Sequence, residues 1–266
     1  MVDFDVIVVV YNRPIQKIAG LQAFLTSQLV KRVVICDNST SAKIATKNMV
    51  QAENLCTKAR YISMGGNKGL AKAYNKGLGE CSSEFVAIFD DDTIVPTDFF
   101  EKTNEYCEHG AADIYLPIVR SSRVIMSPCI KEGFSFRAAR DIDELGGNVT
   151  LSAINSGMVV RRSFYTVCGY DERLFVDNID HRFMDQARET KASIVIMRKV
   201  QLRQDFSQEI YDEEKQCARF KIRAQDCRIY YGDSSTAHRY CSRWILRCKF
   251  ALARKYKNPK ILFMRV

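Results

Sequence analysis

Carboxylates are the residues of this 266-residue chain whose spacing most plainly invites chemistry. Asp90, Asp91 and Asp92 end the apolar run Phe85-Val86-Ala87-Ile88-Phe89 and are followed by Thr93. Adjacent carboxylates repel one another. A hard divalent cation offsets that repulsion by taking one or two of them and completing its shell with substrate phosphates and water. The chemistry so implied is metal-assisted handling of a phosphorylated substrate. The alternative is an acidic loop that caps the next helix, since Asp92, Thr93 and Thr97 suit a helix N-terminus and Pro96 its first turn. Asp177 and Asp180 stand three apart where another helix begins, so both can face one side, and capping carboxylates are the plainer reading there. Met64-Gly65-Gly66-Asn67-Lys68-Gly69 offers backbone N–H groups to a phosphate. It lacks the spacing of a P-loop or a Gly-x-Gly-x-x-Gly dinucleotide site, and reads equally as a turn needing positive φ.

These side chains need elements to bring them together. Phe85 to Phe89, rich in β-branched and aromatic residues, reads as a buried strand of a parallel sheet, and such strands bind ligands beyond their carboxyl ends. Asp5 to Val10, Arg32 to Cys36 and Arg60 to Ser63 read as earlier strands, with helices predicted over 15–28, 41–53 and 70–79. The order β-α-β-α-β-α-β predicts an α/β fold, a doubly wound and mostly parallel sheet flanked by helices. It sets Asp37, Asn67 and Asp90 to Asp92 along one edge. A helix over 98–108 then precedes a strand at Asp113 to Ile118 with a hairpin partner near Val124 to Met126. Residues 131–147 are charged and irregular, and read as a functional loop. Ile154 to Val160 reads as a strand with a polar interruption, Arg162 to Cys168 as a helical turn, and the stretch from Phe175 opens a helix reaching Thr190. Ile194 to Met197 and Val200 to Leu202 read as two closing strands. In a last helix over 237–257, Trp244, Ile245, Cys248 and Leu252 form an apolar stripe, with Arg243, Arg247 and Arg254 elsewhere on the wheel.

Composition narrows the class. At 47% hydrophobic the chain is an ordinary globular protein, and no run nears the ~18 apolar residues that span a bilayer. The opening MVDFDVIVVVYN lacks a signal peptide's basic start and cleavage site, so a cytoplasmic location is expected. Ten cysteines without a Cys-x-x-Cys pair suggest neither zinc nor disulfides. The net charge of +9 is local: nine basic residues and no acidic one follow Asp233, which leaves 31 basic against 31 acidic residues in the rest. That argues against a nucleic-acid partner gripped by the whole fold, and for a basic arm. A basic amphipathic helix with a tryptophan suits an anionic bilayer surface; packing of its stripe on the body is the other reading.

Taken in order, Val8-Val9-Val10-Tyr11-Asn12-Arg13-Pro14, Val34-Ile35-Cys36-Asp37-Asn38-Ser39, Gly66-Asn67-Lys68-Gly69-Leu70-Ala71 with Asn75, and Phe89-Asp90-Asp91-Asp92-Thr93 resemble the family 2 glycosyltransferases of GT-A fold. Asn155-Ser156-Gly157, Gly169-Tyr170-Asp171 and Leu174 to Asp180 continue the resemblance, which covers residues 5–207 and looks most like bacterial rhamnosyltransferases of surface-polysaccharide assembly. The resemblance implies a GT-A domain over 1–207 and a basic helical extension over 208–266. It implies a nucleoside-diphosphate sugar donor (dTDP- or UDP-linked), bound by Tyr11 and Asp37 at the base and by Asn67 and Lys68 near the nucleoside. Asp90 to Asp92 match the family's Asp-x-Asp motif. Asp92 is then the chief ligand of Mg²⁺ or Mn²⁺, Asp90 holds ribose or metal, and Asp91 lies beside the donor.

Asp180 matches the family's catalytic base, and a carboxyl with an ordinary pKa near ~3.9 is ionised at neutral pH. The implied reaction is inverting transfer of a sugar, rhamnose among the candidates, to a glycan or lipid-linked glycan that the basic arm approaches at a membrane. Two positions depart from the pattern: Arg182 stands where an acidic residue is common, and Gln204 where a histidine often helps hold metal and diphosphate. The rival readings are a nucleotidyltransferase, which would release pyrophosphate, and a non-catalytic membrane- or nucleic-acid-binding protein working through the basic arm.

Overall fold

The structure is a computed structural model and describes residues 1–121, 124–204, 212–232 and 234–266. Four parallel strands open it: β1 (Phe4–Val10), β2 (Val30–Asp37), β3 (Ala59–Ser63) and β4 (Phe85–Asp90). Every side chain of β1 is buried, as expected of a strand covered on both faces. The register pairs Val9 with Asp90, Val10 with Asp37, and Asp37 with Ser63, so the carboxyl ends finish in one row. Helices α1 (Leu21–Thr26), α2 (Ala42–Glu53) and α3 (Leu70–Leu78) make the crossovers, and α4 (Phe99–His109) follows the acidic loop.

The helix predicted over 15–28 is not continuous. A 3-10 turn at Ile15–Lys17 precedes α1, and between them the Ala19 N–H donates to the Asp91 carbonyl at 3.0 Å. The chain leaves helical bonding there to brace the acidic loop. Gly20 permits it, since a Cβ would lie 2.4 Å from the Phe24 ring.

Beyond β4 the sheet becomes mixed. Its order is β3-β2-β1-β4-β9-β5-β6-β7, where β9 is Met158–Arg161 and β7 is Ser135–Ala139, with β10 (Ile194–Arg203) on β5 (Ile114–Ser121) and β8 (Leu151–Ser152) on β6 (Val124–Glu132). Strand β9 (Met158–Arg161) runs antiparallel to β4, with Ile88 opposite Met158, so the residues entering β9 lie at the same edge as the ends of β1 to β4. β10 runs parallel to β5 and delivers Gln204 there, with Arg203 bridged to Ile94 of the acidic loop. The two closing strands are thus one, irregular between Met197 and Gln201.

Residues 131–147 are not an irregular loop. β6 continues to Glu132, β7 (Ser135–Ala139) returns beside it, and a 3-10 turn spans Asp143–Gly146. Arg137 of β7 pairs with both Glu132 and Glu144, so charge pairing closes a hairpin whose polarity hid it. The strand read at 154–160 shortens likewise to β9, because residues 155–157 form a turn.

Helix α5 (Ile179–Glu189) follows, then α6 (Glu213–Tyr230) and α7 (Ser235–Tyr256). The boundary expected at 207/208 lies outside the described residues. Phe220, Ala224, Cys227, Ala237, Cys241 and Ile245 of α6 and α7 belong to one core cluster with Ile7, Tyr74 and Val86. The apolar stripe of α7 therefore packs on the body, where Ile245 and Leu252 are buried and Trp244 and Cys248 half-buried. Among the described residues no helix is long and apolar enough to cross a membrane.

Candidate active site

The row of strand ends is laced into one surface by side-chain hydrogen bonds and an ion pair. Asn12, at φ +49°, follows Tyr11, and its Oδ1 accepts from the Thr40 and Ser41 N–H groups at 3.0 and 2.9 Å, joining the loops after β1 and β2. The Arg13 guanidinium reaches the Asp91 carboxylate at 3.0 Å, joining the loop after β1 to the acidic one. Asn38 accepts from the Lys68 N–H at 3.2 Å and donates to the Gly69 carbonyl at 3.1 Å, which draws in the glycine-rich turn. Gly65, Gly66 and Gly69 all have positive φ. At Gly69 a Cβ would lie 2.9 Å from Phe175, so the turn's glycines are a backbone necessity.

The side chains at this edge differ in what they offer. Tyr11 is 52% exposed, an open ring at the rim. Lys68 is exposed, while the Asn67 Oδ1 accepts from the Gly69 N–H at 3.1 Å in a turn of its own. Asp37 is only 2% exposed: its carboxylate accepts from the Ser39 N–H, Asn48 Nδ2 and the Tyr61 hydroxyl at 2.8, 2.8 and 2.9 Å. It holds the edge from beneath.

Asp92 is the most open of the three acidic residues, and Asp90 and Asp91 are half-buried. Burial, then the neighbouring carboxylates, push the Asp91 carboxyl up to about 6 against the pull of Arg13. Burial, then the charge of Asp92, raise Asp90 as well, although Ser156 and Gln204 donate to it. The Ser156 hydroxyl bonds Asp90 Oδ2, and the preceding residue, Asn155, donates its backbone N–H and its side-chain amide to Asp180 at 3.3 Å each. One turn thus grips Asp90 with one residue and Asp180 with the next. Gly157 completes it at φ +78°, where a Cβ would lie 2.3 Å from Leu202. The Tyr170 hydroxyl donates to Asn155 Oδ1 at 3.0 Å, fixing which way the Asn155 amide faces.

Asp180 stands in the first turn of α5. Burial and the nearby Asp90 charge push its carboxyl up to about 7, so the expectation of an ordinary pKa is corrected. Asp177 does not share its face. It precedes the helix, separated by Asn178 at φ +62°, and pairs with Arg223 of α6. The loop ahead of Asp180 is clamped from α6 by Asp226, 1% exposed, whose carboxylate accepts from the backbone N–H groups of Phe175, Val176 and Asp177 at 2.8 Å each. Neither Asp226 nor Asn155 and Ser156 were singled out as site residues from sequence. For Asn155 and Ser156 the signals were a polar interruption before a strand and their place in the family resemblance; Asp226 carried none. His181, beside Asp180, stacks on Phe136 at 3.6 Å and bonds Ser152 at 2.7 Å, and burial pushes its imidazole down to about 4.

A cation site needs oxygens and relief of repulsion. Among the described residues no group of three or more His, Cys, Asp or Glu side chains could hold a metal alone, so such an ion must draw ligands from elsewhere. Gln204 Nε2 spans the gap between Asp90 and Asp92 at 3.4 and 3.3 Å, while its Oε1 is buried without a partner. An orphaned buried carbonyl costs on the order of 1–3 kcal/mol. A half-turn of the amide would aim that oxygen at the two carboxylates, an arrangement that suits a bound cation. The donor set Asp90, Asp92 and Gln204, all oxygen, fits Mg²⁺ or Mn²⁺ completed by a diphosphate.

With this geometry in view, the chain's kinship is clear: residues 5–166 match the Glycosyl transferase family 2, and the chain belongs to it. Asp180 lies beyond the matched segment. A relative, the dTDP-rhamnosyl transferase RfbF of Shigella flexneri, is 28% identical over 184 residues, 65% of this chain and 59% of its own length. The chain thus spans less than two thirds of the curated relative it matches. Among solved structures, S. aureus TarS 1-349 in complex with UDP-GlcNAc aligns at TM-score 0.57 and 15% identity, over 92% of this chain and 71% of that one. The mannosyltransferase PcManGT of Pyrobaculum calidifontis, in complex with GDP-Man and Mn²⁺, aligns at 0.60 and 14%, over 97% and 74%. The shared architecture is the GT-A fold.

Proposed function

We propose that the chain is an inverting glycosyltransferase that moves a sugar from a nucleoside diphosphate to a hydroxyl of a glycan or lipid-linked glycan, with dTDP-rhamnose the first donor to try. The observation that carries this is the turn at Asn155-Ser156, which sets the Asp180 carboxylate beside the acidic end of β4. A proton acceptor and a diphosphate-binding edge then share one floor.

In this reading Tyr11 lies on the base, Asn67 and Lys68 face the nucleoside, Asp37 holds the edge beneath it, and Asp91 with Arg13 braces the loop. Asp90 and Asp92, with Gln204, would hold a divalent ion, which supplies neutralisation of the charge that develops on the departing diphosphate. Asp180 takes the proton from the acceptor hydroxyl as that oxygen bonds to the anomeric carbon. The bond from that carbon to the diphosphate oxygen breaks on the opposite face, and the nucleoside diphosphate leaves with the electron pair. A raised pKa suits the task, because a base is most effective when its pKa lies near the working pH.

Incubation with dTDP-, UDP- and GDP-sugars and Mg²⁺ or Mn²⁺ tests the reading by what is released. Nucleoside diphosphate with inverted product supports it. Pyrophosphate from a nucleoside triphosphate would make the protein a nucleotidyltransferase, and salt-sensitive DNA binding without turnover would favour a non-catalytic role.

The reading includes peripheral contact with an anionic membrane at the cytoplasmic side. Its support is the outer face of α7, where Leu246 and Phe250, 52% and 56% exposed, stand one turn apart among exposed Arg239, Arg243, Arg247 and Arg254. This is not the stripe read from sequence, which is committed to the core.

A further inference from the structure

A cavity of 240 Å³ lies between the β7 hairpin, the loop ahead of α5 and the two C-terminal helices. Phe136, Tyr231, Tyr240 and Trp244 furnish an aromatic wall, and Asp177 and Arg223 a polar end. Asp177, three residues before Asp180, lines it, and His181, one residue after Asp180, is stacked on the lining Phe136.

We infer that this cavity is an acceptor subsite that receives one neutral sugar ring next to the base, an inference that rests on the glycosyl-transfer reading above. Its size falls below the ~300–1,000 Å³ usual for drug-sized ligands, which suits a single ring rather than a nucleotide. The electron-rich faces of aromatic rings attract the weakly positive C–H faces of a pyranose, and a sugar stacks on them with little loss of side-chain freedom. Tyr231 and Tyr240 lie 5.2 Å apart at 61°, forming a corner, and the Arg223 guanidinium lies 5.7 Å from the Trp244 ring.

Charge separates a sugar from an anion. Arg223 is already neutralised by Asp177, so the polar end carries no net charge to hold a phosphate. A guanidinium has five N–H donors and a carboxylate about four acceptor positions, so the pair keeps capacity for hydroxyls. The walls are fixed beforehand. The Tyr231 hydroxyl donates to the Phe134 carbonyl at 2.6 Å, and Lys131 of β6 meets Asp185 of α5 at 2.6 Å. The Tyr230 hydroxyl of α6 bonds the same Asp185 at 2.5 Å.

Trp244 is the chain's single tryptophan, so its emission reports on this cavity alone. The full chain with saturating nucleoside diphosphate is titrated with methyl α-L-rhamnoside, methyl β-N-acetylglucosaminide and methyl α-glucoside, and separately with inorganic phosphate. A saturable change with at least one glycoside and none with phosphate is expected. In transfer assays Trp244→Leu should raise the acceptor KM roughly tenfold with donor Kd unchanged, and Trp244→Phe, which keeps a ring, should restore most of it. No response to any glycoside, a response to phosphate only, or an unaltered acceptor KM in a folded Trp244→Leu protein would overturn the inference. If the wild type binds a glycoside here yet transfers no sugar from any donor, the functional reading falls while the subsite stands.

Discussion

At the scale of single residues, the pKa of Asp180 ties the site to pH. The proposed reaction requires the carboxylate, and its pKa is raised to about 7, so kcat/KM should climb tenfold per unit up to that point and flatten above it. A profile already flat at pH 5 would contradict the assignment. Asp180→Asn should lower kcat by roughly 10³-fold or more while the donor still binds, as calorimetry would show.

The same shift marks stability. The folded carboxyl holds its proton at a pH where the unfolded one has lost it, so stability falls as pH rises from about 4 through about 7. Urea midpoints at pH 5 and pH 8 should differ less in Asp180→Asn than in wild type. For Gln204, the prediction is that Gln204→Leu, which deletes the orphaned amide oxygen together with the Nε2 donor between Asp90 and Asp92, weakens Mn²⁺ binding roughly tenfold by electron paramagnetic resonance titration.

At the scale of elements, the site is a set of strand ends, and these were legible to unequal degrees. Apolar runs such as Ile7 to Val10 and Phe85 to Phe89 announce buried parallel strands, and their carboxyl ends announced the row of Asp37, Asn67 and Asp90. Nothing in Asn155-Ser156-Gly157 says that its partners sit 25 and 66 residues away, because such contacts depend on β9 reversing direction beside β4. The β6-β7 hairpin was hidden for a different reason: its backbone ladder carries charged side chains, with Arg137 paired to Glu132, that resemble those of a solvated loop. The clamp from α6 was invisible too, since an aspartate inside a charged helix resembles any solvated one. Asp226→Ala removes an acceptor shared by three backbone donors and should cost on the order of 3 kcal/mol by urea denaturation. It should also depress transfer far more than donor affinity.

At the scale of the whole molecule, four exposed arginines of α7, at 239, 243, 247 and 254, accompany the exposed Leu246-Phe250 pair at helical spacing. Sedimentation with phosphatidylglycerol-containing vesicles should be strong at low salt and weak at high salt, and should fail with phosphatidylcholine alone. Leu246→Glu with Phe250→Glu should abolish it while leaving transfer to a soluble acceptor intact; unchanged sedimentation would remove the membrane from the account.

The hold that α6 keeps on residues 175–177 reaches further than stability. The row of strand ends lies before residue 166, whereas Asp180 and the helix that clamps the loop ahead of it both lie beyond the family-matched segment. Grafting foreign C-terminal helices onto this chain would therefore succeed only if they bring an acid to position 226. Without it, a chimera would inherit the row of strand ends intact and, ahead of Asp180, a loop stripped of its clamp.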